Sequence, residues 1–180
     1  DGDGDGDSTT GDGDGDGDGD GDGDSTTTTG GGTCSEASTP AGGASCPAQC
    51  DSCDMANAVC NFECLGNTDC DGTTFDCPDD WSCMVNCDST FGCDNTTVNC
   101  PMGGDCTVQC GPGTSPCEAI EVNCGDGLCD LTCDGTTACD GATMTCGSKD
   151  ANIHCDVTSA DVTPVDGGSG CACGQTGDCD

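Results

Sequence analysis

The sequence predicts an all-β fold, a narrow disulfide-stapled β-solenoid of ~23-residue coils preceded by an irregular acidic Asp-Gly tail. Three observations predict it. The chain carries an even count of 24 cysteines. Most of them recur at one fixed spacing between residues 60 and 155. Within each repeat, apolar residues and cysteines alternate with polar residues, which is the period of a β-strand.

The cysteines matter because little else can form a core. Leu, Ile, Val and Phe together make 16 of 180 residues, well under the ~20% below which a highly charged chain stays disordered. Disulfides at ~2–4 kcal/mol each can replace that core, and they place the protein in an oxidising compartment, outside the cell or at its surface. A thiolate–metal protein needs dense Cys-x-Cys pairs and balancing lysines. Here there is one such pair, Cys171 and Cys173, one Cys-x-x-Cys, Cys50 and Cys53, and a net charge of −34. That charge excludes direct nucleic-acid binding and favours cations or neutral surfaces as partners. No stretch approaches the ~20 apolar residues of a membrane span. No signal peptide is visible although the cysteines require export, so the expectation is a mature or trimmed N-terminus.

Residues 1–33 form the acidic tail, Asp-Gly dipeptides broken by Ser-Thr runs, which on composition alone predicts a solvated, self-repelling segment. Residues 34–59 hold irregularly spaced cysteines with Pro40 and Pro47 and are expected to cap the repeat or lead into it.

Residues 60–155 are the repeat. The sets are Cys60, Cys64, Cys70, Cys77, then Cys83, Cys87, Cys93, Cys100, then Cys106, Cys110, Cys117, Cys124, then Cys129, Cys133, Cys139, Cys146, followed by Cys155. First cysteines advance by 23, 23, 23 and 26 residues. The segments CNFEC, CMVNC, CTVQC and CDLTC put Phe62, Val85, Val108 and Leu131 on the cysteine face. CDVTS, with Ser159 in place of the second cysteine, reads as a fifth copy. A second strand closes each unit at Phe75, Val98, Val122 and Met144, each two residues before a cysteine. Two short strands and two turns make one coil, stacked on the next at ~4.8 Å in parallel register. Pairing cannot be read from spacing, but bonds across the coil between its two strands are favoured over bonds between adjacent parallel strands. Residues 156–180 are expected to be a C-terminal cap or assembly segment, since Val157, Val162 and Val165 continue an apolar pattern with only Pro164 as a breaker.

On the Asp-Gly leader and the Cys-x-x-x-Cys repeats, the chain resembles Cys-rich surface and secreted proteins of some bacteria, and more loosely it is similar to the disulfide-laced β-solenoids of insect antifreeze proteins. The antifreeze motif Thr-Cys-Thr at a 12-residue period does not occur here.

Calcium is the expected ligand. Asp1, Asp3 and Asp5 followed by Gly6 open like a calcium-binding loop, Asp7 continues the run, and Asp12, Asp14, Asp16, Asp18, Asp20, Asp22 and Asp24 repeat it. The closing bidentate Glu of an EF-hand is absent, which points to several weak sites. In the repeat, the residue after each third cysteine is acidic: Asp71, Asp94, Glu118 and Asp140. Stacking makes these a ladder of like charges that a cation would relieve. Thr9, Thr10, Thr26, Thr27, Thr28 and Thr29 are candidate O-glycan acceptors, and Asn95-Thr96-Thr97 is an N-glycosylation sequon.

Catalysis is not expected. There is one His, one Lys and no Tyr, which leaves few donors to stabilise a developing charge. Thr74, Thr97 and Thr143 form a column interrupted by Glu121, which raises ice binding as a third reading. The leading expectation is a subunit of a secreted fibre or surface layer, a homopolymer built by head-to-tail contacts between solenoid ends. The alternative is a monomeric surface module that binds Ca²⁺ or a glycan on an acidic stalk.

Overall fold

The computed structural model describes residues 39–168, 171 and 173–179. The Asp-Gly tail, with its eleven aspartates and the threonines at 9, 10 and 26–29, lies outside them.

Among the described residues every regular element is a strand. They are β1 (Ser52–Asp54), β2 (Val59–Glu63), β3 (Thr74–Asp76), β4 (Ser82–Cys87), β5 (Thr97–Asn99) and β6 (Cys106–Cys110). There follow β7 (Glu121–Asn123), β8 (Cys129–Cys133), β9 (Ala142–Thr145), β10 (Ala151–Ala160), β11 (Val162–Val165) and β12 (Cys173–Cys179). They form two sheets. The larger runs β1-β2-β4-β6-β8-β10-β12 and the smaller β11-β9-β7-β5-β3. The chain alternates between them, so each coil gives one strand to each sheet. This is the β-solenoid that the cysteine spacing predicts.

Register follows the repeat. Cys60, Cys83, Cys106 and Cys129 are successive partners, as are Phe62, Val85, Val108 and Leu131. In the smaller sheet Phe75, Val98, Val122 and Met144 form the matching column. Slipping any strand by one residue would turn its cysteines outward, so the alternation fixes the register. The two inner faces meet in one core, with the Phe62 and Phe75 rings 4.7 Å apart. Val85, Val98, Val108, Val122, Leu131 and Met144 are fully enclosed. Each contributes roughly 1.5–3 kcal/mol by leaving water, and the cysteines fill the remaining width.

The disulfides stand in two columns. At the first corner, Cys64–Cys70, Cys87–Cys93, Cys110–Cys117 and Cys133–Cys139 tie the end of each larger-sheet strand to the turn after it. At the second corner, Cys77–Cys83, Cys100–Cys106 and Cys124–Cys129 join the end of one smaller-sheet strand to the start of the next larger-sheet strand. Neither column is the expected bond across a coil between its own two strands: the second joins the end of one coil to the start of the next, and the first joins a strand to the turn that follows it. The ends differ again. Cys46–Cys53 and Cys50–Cys60 fasten the β1–β2 hairpin, and Cys146–Cys173 and Cys155–Cys179 fasten the last coil. Cys155–Cys179 links two neighbouring parallel strands, contrary to the expectation that such bonds are disfavoured.

One register expectation is corrected. The fifth copy is not CDVTS. Cys155 pairs with Cys133, and Ala151 stands opposite Cys129, so the copy is ANIHC, with Ala151 in place of the first cysteine and Ile153 in the core. The apparent step of 26 arises from matching the wrong cysteine, and the rung itself advances by about one normal coil. Strands also occur on both sides of 60–155. β1 pairs antiparallel with β2, while β11 and β12 continue the two sheets in parallel.

Both corners carry a backbone requirement. At the first, the residue two after each third cysteine is left-handed: Gly72, Asn95, Ala119 and Gly141, with φ of 65°, 51°, 54° and 69°. Gly and Asn accept this conformation readily, whereas Ala119 holds it at a cost of about 1–2 kcal/mol. At the second, neighbouring rungs approach backbone to backbone. A β-carbon on Gly104, Gly125, Gly127, Gly147 or Gly167 would overlap a carbonyl oxygen of the rung before it.

Candidate functional surfaces

The acidic ladder forms. At the first corner Gly72 N donates to Asp94 O, Asn95 N to Glu118 O and Ala119 N to Asp140 O, each at 2.8 Å. Asp71, Asp94, Glu118 and Asp140 therefore stack one per rung. Glu118 N also donates to the Asp94 carboxylate at 3.1 Å. Partial burial holds the Asp94 carboxyl above its ordinary range, and the charges of Glu118 and Asp71 push it the same way, while the Glu118 amide opposes them. The ladder does not converge on a cage. Among the described residues, the groups of three or more ligand atoms lying within 4.8 Å of one another are cysteine sulfurs, and those sulfurs are in disulfides. A cation here would bridge neighbouring carboxylates from outside and keep much of its water, as weak calcium sites do.

A second cluster leaves no mark in the sequence spacing. His154 Nε2 lies 2.8 Å from Asp156 Oδ1, and His154 Nδ1 is 3.0 Å from Thr176 Oγ1. Asp134, one rung away, has a buried Oδ1 without a hydrogen-bond partner. Its carboxyl is raised, first by desolvation and then by the charge of Asp156 and a shared hydrogen bond with it, with His154 acting in the opposite sense. Asp134 and His154 are 20 residues apart, and only the rung register brings them together.

Asp94 and Asp134 give a pH prediction. Both native carboxyls bind a proton more tightly than in the unfolded chain. Their contribution to stability is therefore full below the ordinary carboxylate range and lost as pH rises through the raised native values. Asp54, lowered chiefly by the Asn57 side chain, acts oppositely and weakens the fold only as pH falls. The net charge of −34 adds general repulsion at neutral pH. The melting temperature in low-salt, cation-free buffer should be higher at pH 4.5 than at pH 7. A lower one at pH 4.5 would contradict this account.

The smaller sheet presents two outward columns. Thr74, Thr97, Glu121, Thr143 and Thr163 are successive partners, and Asp76, Asn99, Asn123, Thr145 and Val165 run beside them. Asn123 Nδ2 donates to Asn99 Oδ1 at 3.0 Å and Asn99 Nδ2 to Asp76 Oδ1 at 2.7 Å. The signal for this amide ladder in the sequence is the pair of strands Thr97-Val98-Asn99 and Glu121-Val122-Asn123. Asn95 of the sequon is exposed at a corner. The neighbouring Thr96 is buried and donates to Cys70 O at 2.7 Å.

The ends of the stack are unequal. In the larger sheet β1, a short strand preceded by the exposed Asp51 and ending on the exposed Asp54, covers the first edge. Among the described residues, no strand precedes β3 in the smaller sheet. Beside it opens a cleft of about 450 Å³ lined by Gln49, Asp51, Phe62, Thr73, Thr74, Phe75 and Asp76. At the other end β11 exposes Pro164 and Val165, and Pro164 continues the Phe75 column.

No helix among the described residues is long and apolar enough to cross a membrane. Disulfide density of this order is typical of extracellular and secreted proteins. The chain is a disulfide-rich β-solenoid, as the looser of the two resemblances implies, and comparison with protein-family models, curated proteins and solved structures finds no match to it.

Proposed function

We propose that this chain is a non-catalytic extracellular structural protein, a subunit that stacks end to end into a fibre or surface layer, with Ca²⁺ bound by the acidic tail and the corner ladder. The observation that carries this reading is the bare edge of β3 with its aromatic cleft, set against an opposite end where β11 leaves Pro164 and Val165 in water. A strand edge beside exposed apolar surface is a template for pairing with another chain. A head-to-tail contact that does not close on itself propagates into a filament. Stacking one copy on the next would extend the Phe75 column through Pro164, and Ca²⁺ would reduce the repulsion between two acidic subunits.

The test is electron microscopy and light scattering of the oxidised full chain with and without Ca²⁺. Wild type should form filaments with Ca²⁺, and Phe75→Asp should remain a folded monomer. A wild-type chain that stays strictly monomeric at high concentration with Ca²⁺ would overturn the fibre reading. The monomeric Ca²⁺- or glycan-binding surface module would then take its place, a role that the covering hairpin β1 and the proline in β11 would suit.

The threonine column favours ice as a second reading, since a regular outward rank on a flat parallel sheet can match a lattice. Glu121 breaks that rank at its centre. If ice binding is the activity, Glu121→Thr should raise thermal hysteresis severalfold over wild type. No hysteresis in either protein removes this reading.

A further inference from the structure

Some of the corner disulfides lie against one another. Cys100 Sγ is 3.8 Å from Cys129 Sγ, which belongs to the next bond of its column, and with Cys106 these sulfurs lie within 4.8 Å of one another. The arrangement recurs at the first corner, where Cys93 approaches Cys64 and Cys70, and Cys117 approaches Cys87 and Cys93. Access separates the two corners. Those first-corner cysteines are all buried, whereas Cys100 and Cys124 of the second corner are half-buried. Cys124 also lines a cleft of about 250 Å³ with Met102, Gly125, Asp126, Gly147 and Ser148. We propose that this cleft is a thiol-exchange site. It takes a small neutral or cationic thiol, held on Cys124 as a mixed disulfide, while the broken bond is remade between Cys129 and Cys100.

The exchange is two displacements in sequence, with no net oxidation. The incoming thiolate attacks Cys124 Sγ, the Cys124–Cys129 bond breaks, and Cys129 leaves as a thiolate. Cys129 Sγ then attacks Cys100 Sγ, closing the 3.8 Å gap to the ~2.0 Å of a bond. The Cys100–Cys106 bond breaks, and Cys106 leaves and takes up the proton that the incoming thiol gave up. One thiol has been consumed and one has appeared. The rung register supplies the alignment. Cys106 and Cys129 are partners in the larger sheet, and Cys100 N donates to Asn123 O, next to Cys124, at 2.9 Å. The stacking of the rungs therefore stacks the two bonds. The thiol left at Cys106 is enclosed, at 1% exposure, and is sheltered from the medium.

Charge selects the thiol. Asp126 stands in the cleft wall, and the net charge of −34 repels an anionic thiol and attracts a cationic one. The product also differs from the starting bonds in reach. Cys100 and Cys129 are 29 residues apart, whereas the bonds they replace span six and five. The remade bond therefore closes a loop longer than one coil. None of this depends on whether the protein polymerises.

The test exposes the oxidised full chain to a slight excess of cysteamine at mildly alkaline pH. The reaction is quenched with acid, free thiols are blocked under denaturing conditions, and the chain is digested with pepsin and mapped by mass spectrometry without reductant. The expected result is a cysteamine adduct on Cys124, a peptide joining Cys100 to Cys129, and the blocking label on Cys106. Cysteamine should react severalfold faster at low salt than the anionic 2-mercaptoethanesulfonate, and added salt should narrow the gap. In the Cys106→Ser variant Cys100 starts as a thiol, so label should appear on Cys124 with no added thiol, together with the Cys100–Cys129 peptide. The proposal is overturned if Cys124 gains no adduct, if the adduct forms while Cys100–Cys106 stays intact and Cys129 takes the label, or if the variant is labelled on Cys100 alone. Equal rates for the two thiols at low salt would overturn the selection by charge. If the variant does not fold, the wild-type map decides alone.

Discussion

Reduction of the native protein should unfold it cooperatively, with loss of the β-sheet circular dichroism, while the unreduced protein shows almost no titratable thiol. The seven corner disulfides each close a loop of five to seven residues. Closing so short a loop contributes about 2 kcal/mol per bond in the chain-entropy model. Seven of them approach about 15 kcal/mol, as much as the whole net stability of a typical domain. With 16 large aliphatic and Phe residues in 180, nothing replaces that contribution. Removing one bond should also show position dependence. Replacing Cys110 and Cys117, both fully enclosed, with Ala should lower stability by about 2–5 kcal/mol. Replacing the more exposed Cys46 and Cys53 should cost clearly less. Retention of native circular dichroism under strong reductant would mean that the core does not depend on sulfur.

The second large effect is expected at a glycine. Gly127→Ala should destabilise the protein by about 3 kcal/mol, because the added methyl would overlap the Gly104 carbonyl oxygen of the rung before it. That obstacle is backbone, which cannot rotate aside, and relief requires parting two rungs that share hydrogen bonds on both sheets. Gly72→Ala is the control. Its φ is 65° but nothing lies within 4 Å of the new methyl, so it should cost only about 1 kcal/mol from the left-handed backbone. Chemical denaturation of the two variants separates the cases. If Gly72→Ala is the worse of the two, the close approach at the second corner does not limit the stack.

Much of this fold is legible in the sequence because each rung repeats the same few decisions. The alternation in Cys83, Val85 and Cys87 gives the inner face of a strand, and the step to Cys106, Val108 and Cys110 gives its neighbour. Legibility ends where a rung loses its marker. Ala151 fills the place of a cysteine without altering the packing, so spacing matches Cys155 to Cys129 when its partner is Cys133. Pairing is harder, because spacing leaves several partners within reach and the choice depends on how the turn after Cys64 or Cys87 folds back. The β1–β2 hairpin is invisible, since Ser52–Asp54 is too short to show a period. The carboxylate of Asp134 meets His154 and Asp156 only through the stacking. The acidic ladder is plain because Asp71, Asp94, Glu118 and Asp140 each come directly after a cysteine that marks the register.

The order of the corner bonds bears on how such a chain could ever oxidise correctly. Cys64–Cys70, Cys77–Cys83, Cys87–Cys93, Cys100–Cys106, Cys110–Cys117, Cys124–Cys129 and Cys133–Cys139 each join a cysteine to the very next one in the sequence. A chain emerging N-terminus first would meet its correct partner before any distant competitor has emerged. Loop closure over six residues is fast, so the encounter of the two cysteines does not limit their oxidation. Each finished coil then presents a ready edge on which the next one forms. The bonds that break this rule, Cys46–Cys53, Cys50–Cys60, Cys146–Cys173 and Cys155–Cys179, lie at the two ends. In vectorial folding the later two can close only after the whole stack exists, so they lock a structure that the corner bonds have already assembled.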